Sequence, residues 1–300
     1  MRSPRSSSIG VLVVALLCQT TRLPRFSLTP LRVLLLMVGV ACGGGGSGNN
    51  TGTTSPPPTK PPTRQAKWAL SWSDEFDGTS INQSDWIVQN GAVNVNAELE
   101  YYTPSDVYLD AGSLVLETEQ RAIGPRRYTS GEVRTGSLHT VNWGSAVEWR
   151  TQPPSGKGIW PANWLVAPQC DGLNGCGIYW PPEIDVLEIR GSTPSINVMT
   201  HWWSTWPNEQ HETSQYYATT SLADDYHTYR LEWFPDSVVW YIDGVKRAKH
   251  MANITPGPMQ IVMNTAVGGF FDGNPDQTTV FPQFHRIDYV RVYRDTANTY

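Results

Sequence analysis

An antiparallel β-sandwich is the fold class this sequence predicts, and three observations predict it. Segments rich in β-branched and aromatic residues recur from Trp68 onward, Asp243-Gly244 sits between two apolar runs as a two-residue hairpin signal, and no stretch of twelve residues has helical periodicity. Many short strands in one domain of this size imply two packed sheets, and curved sheets leave a concave face available to a long ligand.

The N-terminus reads as an export signal over residues 1–42. Two apolar runs, Ile9 to Cys18 and Leu31 to Cys42, each follow arginines and are too short to span a bilayer comfortably, which is the charged-then-apolar order of a secretory signal. The second run ends in Gly39-Val40-Ala41-Cys42 before a glycine tract. That ending resembles a bacterial lipoprotein signal, in which Cys42 would carry the lipid and attach the protein to a membrane. Lipidation at the cell surface or outer membrane and plain secretion, from a bacterium in either case, both stay open. Residues 43–66 are mostly Gly, Ser, Asn, Thr and Pro, with Pro56, Pro57, Pro58, Pro61 and Pro62, and predict a disordered, partly stiff tether. Residues 67–300 then form one domain with no second linker.

Charge divides along the same boundary. The first 65 residues carry seven basic and no acidic side chains, leaving 15 basic against 27 acidic in the rest, a net charge of −12. An acidic body repels phosphate backbones, so nucleic acid is excluded as a partner. No apolar run beyond residue 42 approaches the roughly 20 residues of a membrane helix.

Within the body the strands expected are Ser113 to Glu119, Ala146 to Thr151, Ile196 to Trp203, Tyr229 to Trp233, Ser237 to Ile242 and Arg286 to Tyr293. Cys170 and Cys176, six residues apart in an exported chain, read as a small disulfide loop, with two free thiols as the alternative.

Chemistry concentrates in Glu183-Ile184-Asp185-Val186-Leu187-Glu188. Strict alternation would put Glu183 and Asp185 on one face and Glu188 on the other. One extra residue bulged at Val186-Leu187 restores Glu188 to the first face. The outer acids are then roughly 13 Å apart at their α-carbons, and inclined side chains bring the carboxyl groups within about 5 to 6 Å, the spacing of a retaining glycosidase. One acid must be ionised to attack the anomeric carbon and the other protonated to release the leaving sugar; crowded like charges separate their pKa values to supply both. An exposed acidic strand or a calcium site is the plainer alternative.

At these residues the sequence resembles glycoside hydrolase family sixteen, whose signature is Glu-x-Asp-x-x-Glu in the bulged form. The resemblance runs through Trp72-Ser73-Asp74-Glu75-Phe76-Asp77, Glu98-Leu99-Glu100-Tyr101-Tyr102-Thr103, Tyr128-Thr129-Ser130-Gly131, Gly158-Ile159-Trp160-Pro161-Ala162-Asn163-Trp164, Asn264-Thr265-Ala266-Val267-Gly268-Gly269 and Asp288-Tyr289-Val290-Arg291-Val292-Tyr293. It implies a β-jelly roll with an open substrate cleft. It makes Glu183 the nucleophile, Glu188 the general acid and base, and Asp185 a hydrogen-bond partner of the nucleophile. Trp160, Trp164 and Trp180 would line the cleft and stack on sugars, with burial in the sandwich as the alternative; Arg134 and His201 would be polar residues of the cleft, binding sugar hydroxyls or bordering the nucleophile. Beside His201, Trp202, Trp203 and Trp206 form an unusual cluster, and at least one of them, Trp202 foremost, is expected to contact substrate. No cofactor serves the chemistry, but a structural calcium on the convex side is implied, with Glu75, the Gly112 carbonyl and Asp288 as oxygen ligands.

The implied activity is internal cleavage of β-1,3 or mixed β-1,3/1,4 glucans by a monomer of the laminarinase-like branch. Pro182 stands where that branch commonly has Gly, and Glu100 where it has Gln. These departures keep a marine galactan such as agarose or porphyran as an alternative substrate. A carbohydrate-binding protein without turnover and a transglycosylase are the alternative functions.

Overall fold

The computed structural model describes residues 65–204 and 207–300. The export segment with Cys42, all of the tether but its last two residues, and Trp206 lie outside the described residues. In chain order the strands are β1 Trp68–Asp74, β2 Ile87–Val88, β3 Gly91–Ala92, β4 Glu100–Tyr102, β5 Val107–Asp110, β6 Ser113–Thr118 and β7 Tyr128–Ser130. They continue as β8 Glu132–Arg134, β9 Thr140–Val141, β10 Ser145–Gln152, β11 Ile159–Val166, β12 Glu183–Glu188 and β13 Ile196–Trp203. The last are β14 Gln210–Tyr217, β15 His227–Phe234, β16 Ser237–Ile242, β17 Val245–His250, β18 Met259–Val267 and β19 Gln283–Asp295, with one helical turn, α1 Gly269–Asp272.

Two eight-stranded antiparallel sheets carry the described fold. One has the order β17-β16-β15-β10-β19-β6-β5 with β1 also on β19; the other has β14-β13-β12-β11-β18-β8-β2 with β9 also on β18. The fold is therefore the antiparallel sandwich of jelly-roll type expected from the sequence. All six expected strands are present; β10, β15 and β19 run one to three residues further at each end than the side-chain pattern indicates, and β6 stops one residue earlier. The Asp243-Gly244 turn closes β16 onto β17 with φ of +51° and +72°, the left-handed pair that a tight hairpin of this hand requires.

Between the sheets lies a core drawn from alternate positions: Leu114, Val147, Trp149, Leu231, Trp233, Trp240 and Val290 from one, Ile184, Leu187, Met199, Ile261 and Met263 from the other. Trp149, Trp233 and Trp240 are essentially fully buried. Each removes roughly 150 to 250 Å² from water, which fixes the two sheets against each other and holds β12 from behind.

The register of β12 departs from simple pairing where the sequence predicts. On β11, Trp164 pairs with Asp185 but the preceding Asn163 pairs with Leu187, so Val186 has no partner. Val186 and Leu187, consecutive in sequence, both turn into the core. That bulge advances the phase of the strand by one residue.

Candidate active site

Glu183, Asp185 and Glu188 all line one cleft of about 860 Å³ on the β12 sheet, so the bulge does return the third acid to the face of the first two. Each carboxylate receives an indole N–H. Trp180 Nε1 donates to Glu183 Oε2 at 3.0 Å, Trp202 Nε1 to Asp185 Oδ2 at 3.3 Å and Trp160 Nε1 to Glu188 Oε1 at 3.1 Å. Trp160 and Trp164 come from alternate cleft-facing positions of β11, and Trp202 sits opposite Glu183 on β13. Trp164 also lines the cleft and donates to Asn264 Oδ1 at 2.9 Å.

Asp185 is buried, whereas Glu183 and Glu188 keep partial contact with solvent through the cleft mouth. Burial holds the Glu183 carboxyl well above the ordinary carboxylate range, and the charges of Asp185 and Glu188 push it further; the Trp180 N–H opposes them. Glu188 is raised the same way, by burial and then by Asp185, against Trp160 and the guanidinium of Arg190. Asp185 is pushed up to about 7 by burial, against the Trp202 N–H. Three acids in one poorly solvated pocket cannot all ionise near neutral pH, so the site holds a transferable proton. The expected hydrogen bond from Asp185 to Glu183 is replaced by the one from Trp202; Asp185 acts on Glu183 through charge.

The Trp160 ring is itself held. It stacks on Phe271 at 4.8 Å, and Arg190 lies over the far ring at 4.3 Å while donating from Nε to the Phe271 carbonyl at 2.8 Å.

Two expected cleft residues are elsewhere. His201 is fully buried and packs between Trp203 at 5.0 Å and His250 at 6.3 Å, with its pKa lowered to about 4 by burial. The reason is strand parity: Trp202 faces the cleft, so its neighbour must face the core. Arg134 donates from Nη1 to the Cys170 carbonyl at 2.6 Å and braces the loop behind the wall. That loop is closed by the Cys170–Cys176 disulfide, and its Gly172, Asn174, Gly175 and Cys176 line the cleft.

A second group of acids was not anticipated as part of the site. Glu98 and Glu132 line the cleft and Glu100 lies fully buried behind them. Burial raises all three, Glu98 far above its ordinary value and Glu132 to about 8. Asn264 joins this group to the tryptophans, donating from Nδ2 to the Tyr102 hydroxyl at 2.9 Å. Glu98 and Glu100 stand in one block the sequence displays and Asn264 in another, without a sign that the two meet; Glu132 lies outside every such block and nothing local marks it.

The expected calcium ligands are Glu75, the Gly112 carbonyl and Asp288. β10 occupies one edge of β19, and β1 and β6 share the other, leaving a gap at Asp288 and Tyr289. Glu75 follows the end of β1 and Gly112 precedes β6. Both carboxylates are engaged by arginines: Arg291 Nη2 on Glu75 at 2.7 Å and Arg150 Nη1 on Asp288 at 2.8 Å. A cation there would replace two guanidinium groups.

A jelly-roll sandwich whose open cleft holds paired, indole-bound carboxylates defines a glycoside hydrolase. The sequence model of Glycosyl hydrolases family 16 matches residues 82–291, and the chain belongs to that family. It is 32% identical to Glucan endo-1,3-beta-glucosidase A1 of Niallia circulans over 75% of this chain, spanning 38% of that longer protein. It is 31% identical to Beta-glucanase of Rhodothermus marinus over 76% of this chain and 85% of that one. Among solved structures, the laminarinase catalytic domain of Thermotoga maritima superposes with a TM-score of 0.69 at 30% identity, covering 76% of this chain and 99% of the other.

Proposed function

We propose that this chain cleaves β-1,3 or mixed β-1,3/1,4 glucans internally, with retention, through a covalent glycosyl-enzyme. The observation that carries the reading is the placement of Glu183, Asp185 and Glu188 in one cleft, each bound by a tryptophan N–H. Ionised Glu183 attacks the anomeric carbon; the glycosidic C–O bond breaks as Glu188 gives its proton to the leaving oxygen. Glu188, now ionised, takes a proton from water, whose oxygen displaces Glu183 and regenerates both acids. The net of two inversions is retention.

The names of the relatives support a β-glucan over a galactan, and the net charge of −12 outside the N-terminal segment disfavours a sulfated galactan in particular. Reducing-sugar release from laminarin, lichenan, agarose and xyloglucan tests this, with Glu183→Gln as control. Activity on agarose alone contradicts the substrate, and unaltered activity in the variant contradicts the mechanism.

Export by residues 1–42, with a lipid on Cys42, also belongs to this reading, supported by the charge and apolar order of that segment. Mass spectrometry of the mature N-terminus decides between lipid and free amine. So does a calcium at the Glu75, Gly112 and Asp288 junction, supported by the backbone register there. Calcium added to chelator-treated protein should raise its melting temperature, and Asp288→Asn should remove the rise; no calcium response in either protein contradicts it.

A further inference from the structure

The bulge that brings Glu188 to the face of Glu183 leaves backbone groups of β12 outside the ladder, and one side chain takes two of them. Asn197, fully buried on β13, donates from Nδ2 to the Val186 carbonyl at 3.0 Å and accepts at Oδ1 from the Glu188 N–H at 3.2 Å. Direct pairing between β12 and β13 covers only Glu183 with Trp202 and Ile184 with His201. Between Ile184 and the isolated antiparallel bridge of Ile189 with Asn197, the amide of Asn197 stands in for the ladder between the two strands. From the opposite sheet, Trp240 Nε1 donates to the Asp185 carbonyl at 2.8 Å, so the residue before the bulge is held as well.

An amide suits this place because it offers one donor and one acceptor at fixed separation. A carboxylate would set lone pairs against the Val186 carbonyl, and an aliphatic residue would leave both backbone groups buried without partners. We propose that Asn197 is a positioning residue for catalysis: it fixes the bulge and through it aims the Glu188 carboxyl at the leaving oxygen, without touching substrate. This rests on the reading of Glu188 as proton donor.

If Asn197 aims the proton donor, its loss should matter in proportion to the leaving group's need for a proton. The measurement is kcat/KM, which reports the first displacement, for a β-1,3-gluco-oligosaccharide and for a dinitrophenyl glycoside of the same sugars, whose leaving group needs no proton. In Asn197→Asp and Asn197→Ala, with native circular dichroism confirmed, the oligosaccharide value should fall on the order of 10²-fold. The aryl value should fall less than about tenfold, since departure of dinitrophenolate draws little on the general acid. Equal falls on both substrates, or no fall on either, overturn the proposal, because a merely structural residue would move the two together. In the wild-type chain the Glu188 amide should exchange slowly with deuterium although it has no ladder partner on β13, and fast exchange also overturns it. A wild type that cleaves neither substrate overturns the functional reading and the proposal with it; an active wild type with an unchanged ratio overturns the proposal alone.

Discussion

The indole of Trp160 donates to Glu188 Oε1 at 3.1 Å while its ring is stacked on Phe271 at 4.8 Å. The bond favours ionised Glu188, against burial, which raises it. Trp160→Phe keeps the ring and deletes the donor, so the Glu188 pKa should rise further. The alkaline limb of the pH–rate profile, where the acid loses its proton, should move upward, and kcat should fall about tenfold from the loss of a bond to a charged group. Initial rates across pH check this; an unmoved limb contradicts it.

Asp185 lies between the two outer acids in sequence, and its charge raises both of them after burial does. Its own pKa is pushed up to about 7. Asp185→Asn removes that charge, which lowers the pKa of Glu183 and of Glu188 together. Both limbs of a bell-shaped profile should shift to lower pH, along with reduced kcat. A shift upward in the same assay would contradict the electrostatic role given to Asp185.

Glu132 is 2% exposed, and burial above all pushes its carboxyl up to about 8, with Arg134 opposing. Unfolded, it would lose its proton near pH 4.5. The stability it gives is therefore complete below pH 4.5 and is lost as pH rises toward 8. Glu132→Gln mimics the protonated form at every pH. Its unfolding free energy, from denaturant titration, should gain on the wild type steadily from pH 5 to 8, by an amount on the order of a few kcal/mol at the upper end. A difference that does not grow with pH contradicts the buried, protonated state.

The disulfide loop supplies a wall of the cleft, and Arg134 and Gln260 both hold the Cys170 carbonyl, at 2.6 and 2.8 Å. Replacing both cysteines by serine should cost about 2 kcal/mol of stability for so short a loop. KM for long glucans should rise more than kcat falls, since the reacting groups lie on β12. Thermal denaturation and steady-state kinetics on one preparation separate the two effects.

What the sequence made legible follows from periodicity. Three acids spaced by aliphatic residues in Glu183 to Glu188 cannot share a face without an extra residue, so the bulge at Val186 could be placed before any coordinates. The same rule exposes the error at His201: adjacent strand residues face opposite ways, so His201 and Trp202 could not both reach substrate. Arg134 was misplaced because a guanidinium fits a sugar hydroxyl and a backbone carbonyl equally well, and only the fold sets Cys170 beside it. The acids Glu98, Glu100 and Glu132 and the linking Asn264 meet through long-range pairing that no local pattern encodes.

The most direct test of the double displacement is to trap its intermediate. A 2-deoxy-2-fluoro derivative of a β-1,3-linked glucose disaccharide with a dinitrophenolate leaving group slows the second step, and peptide mass spectrometry locates the sugar. The account predicts stoichiometric labelling of Glu183, absent in Glu183→Gln. A sugar on Asp185 or Glu188, or hydrolysis of the derivative with the product's anomeric configuration inverted, would contradict it.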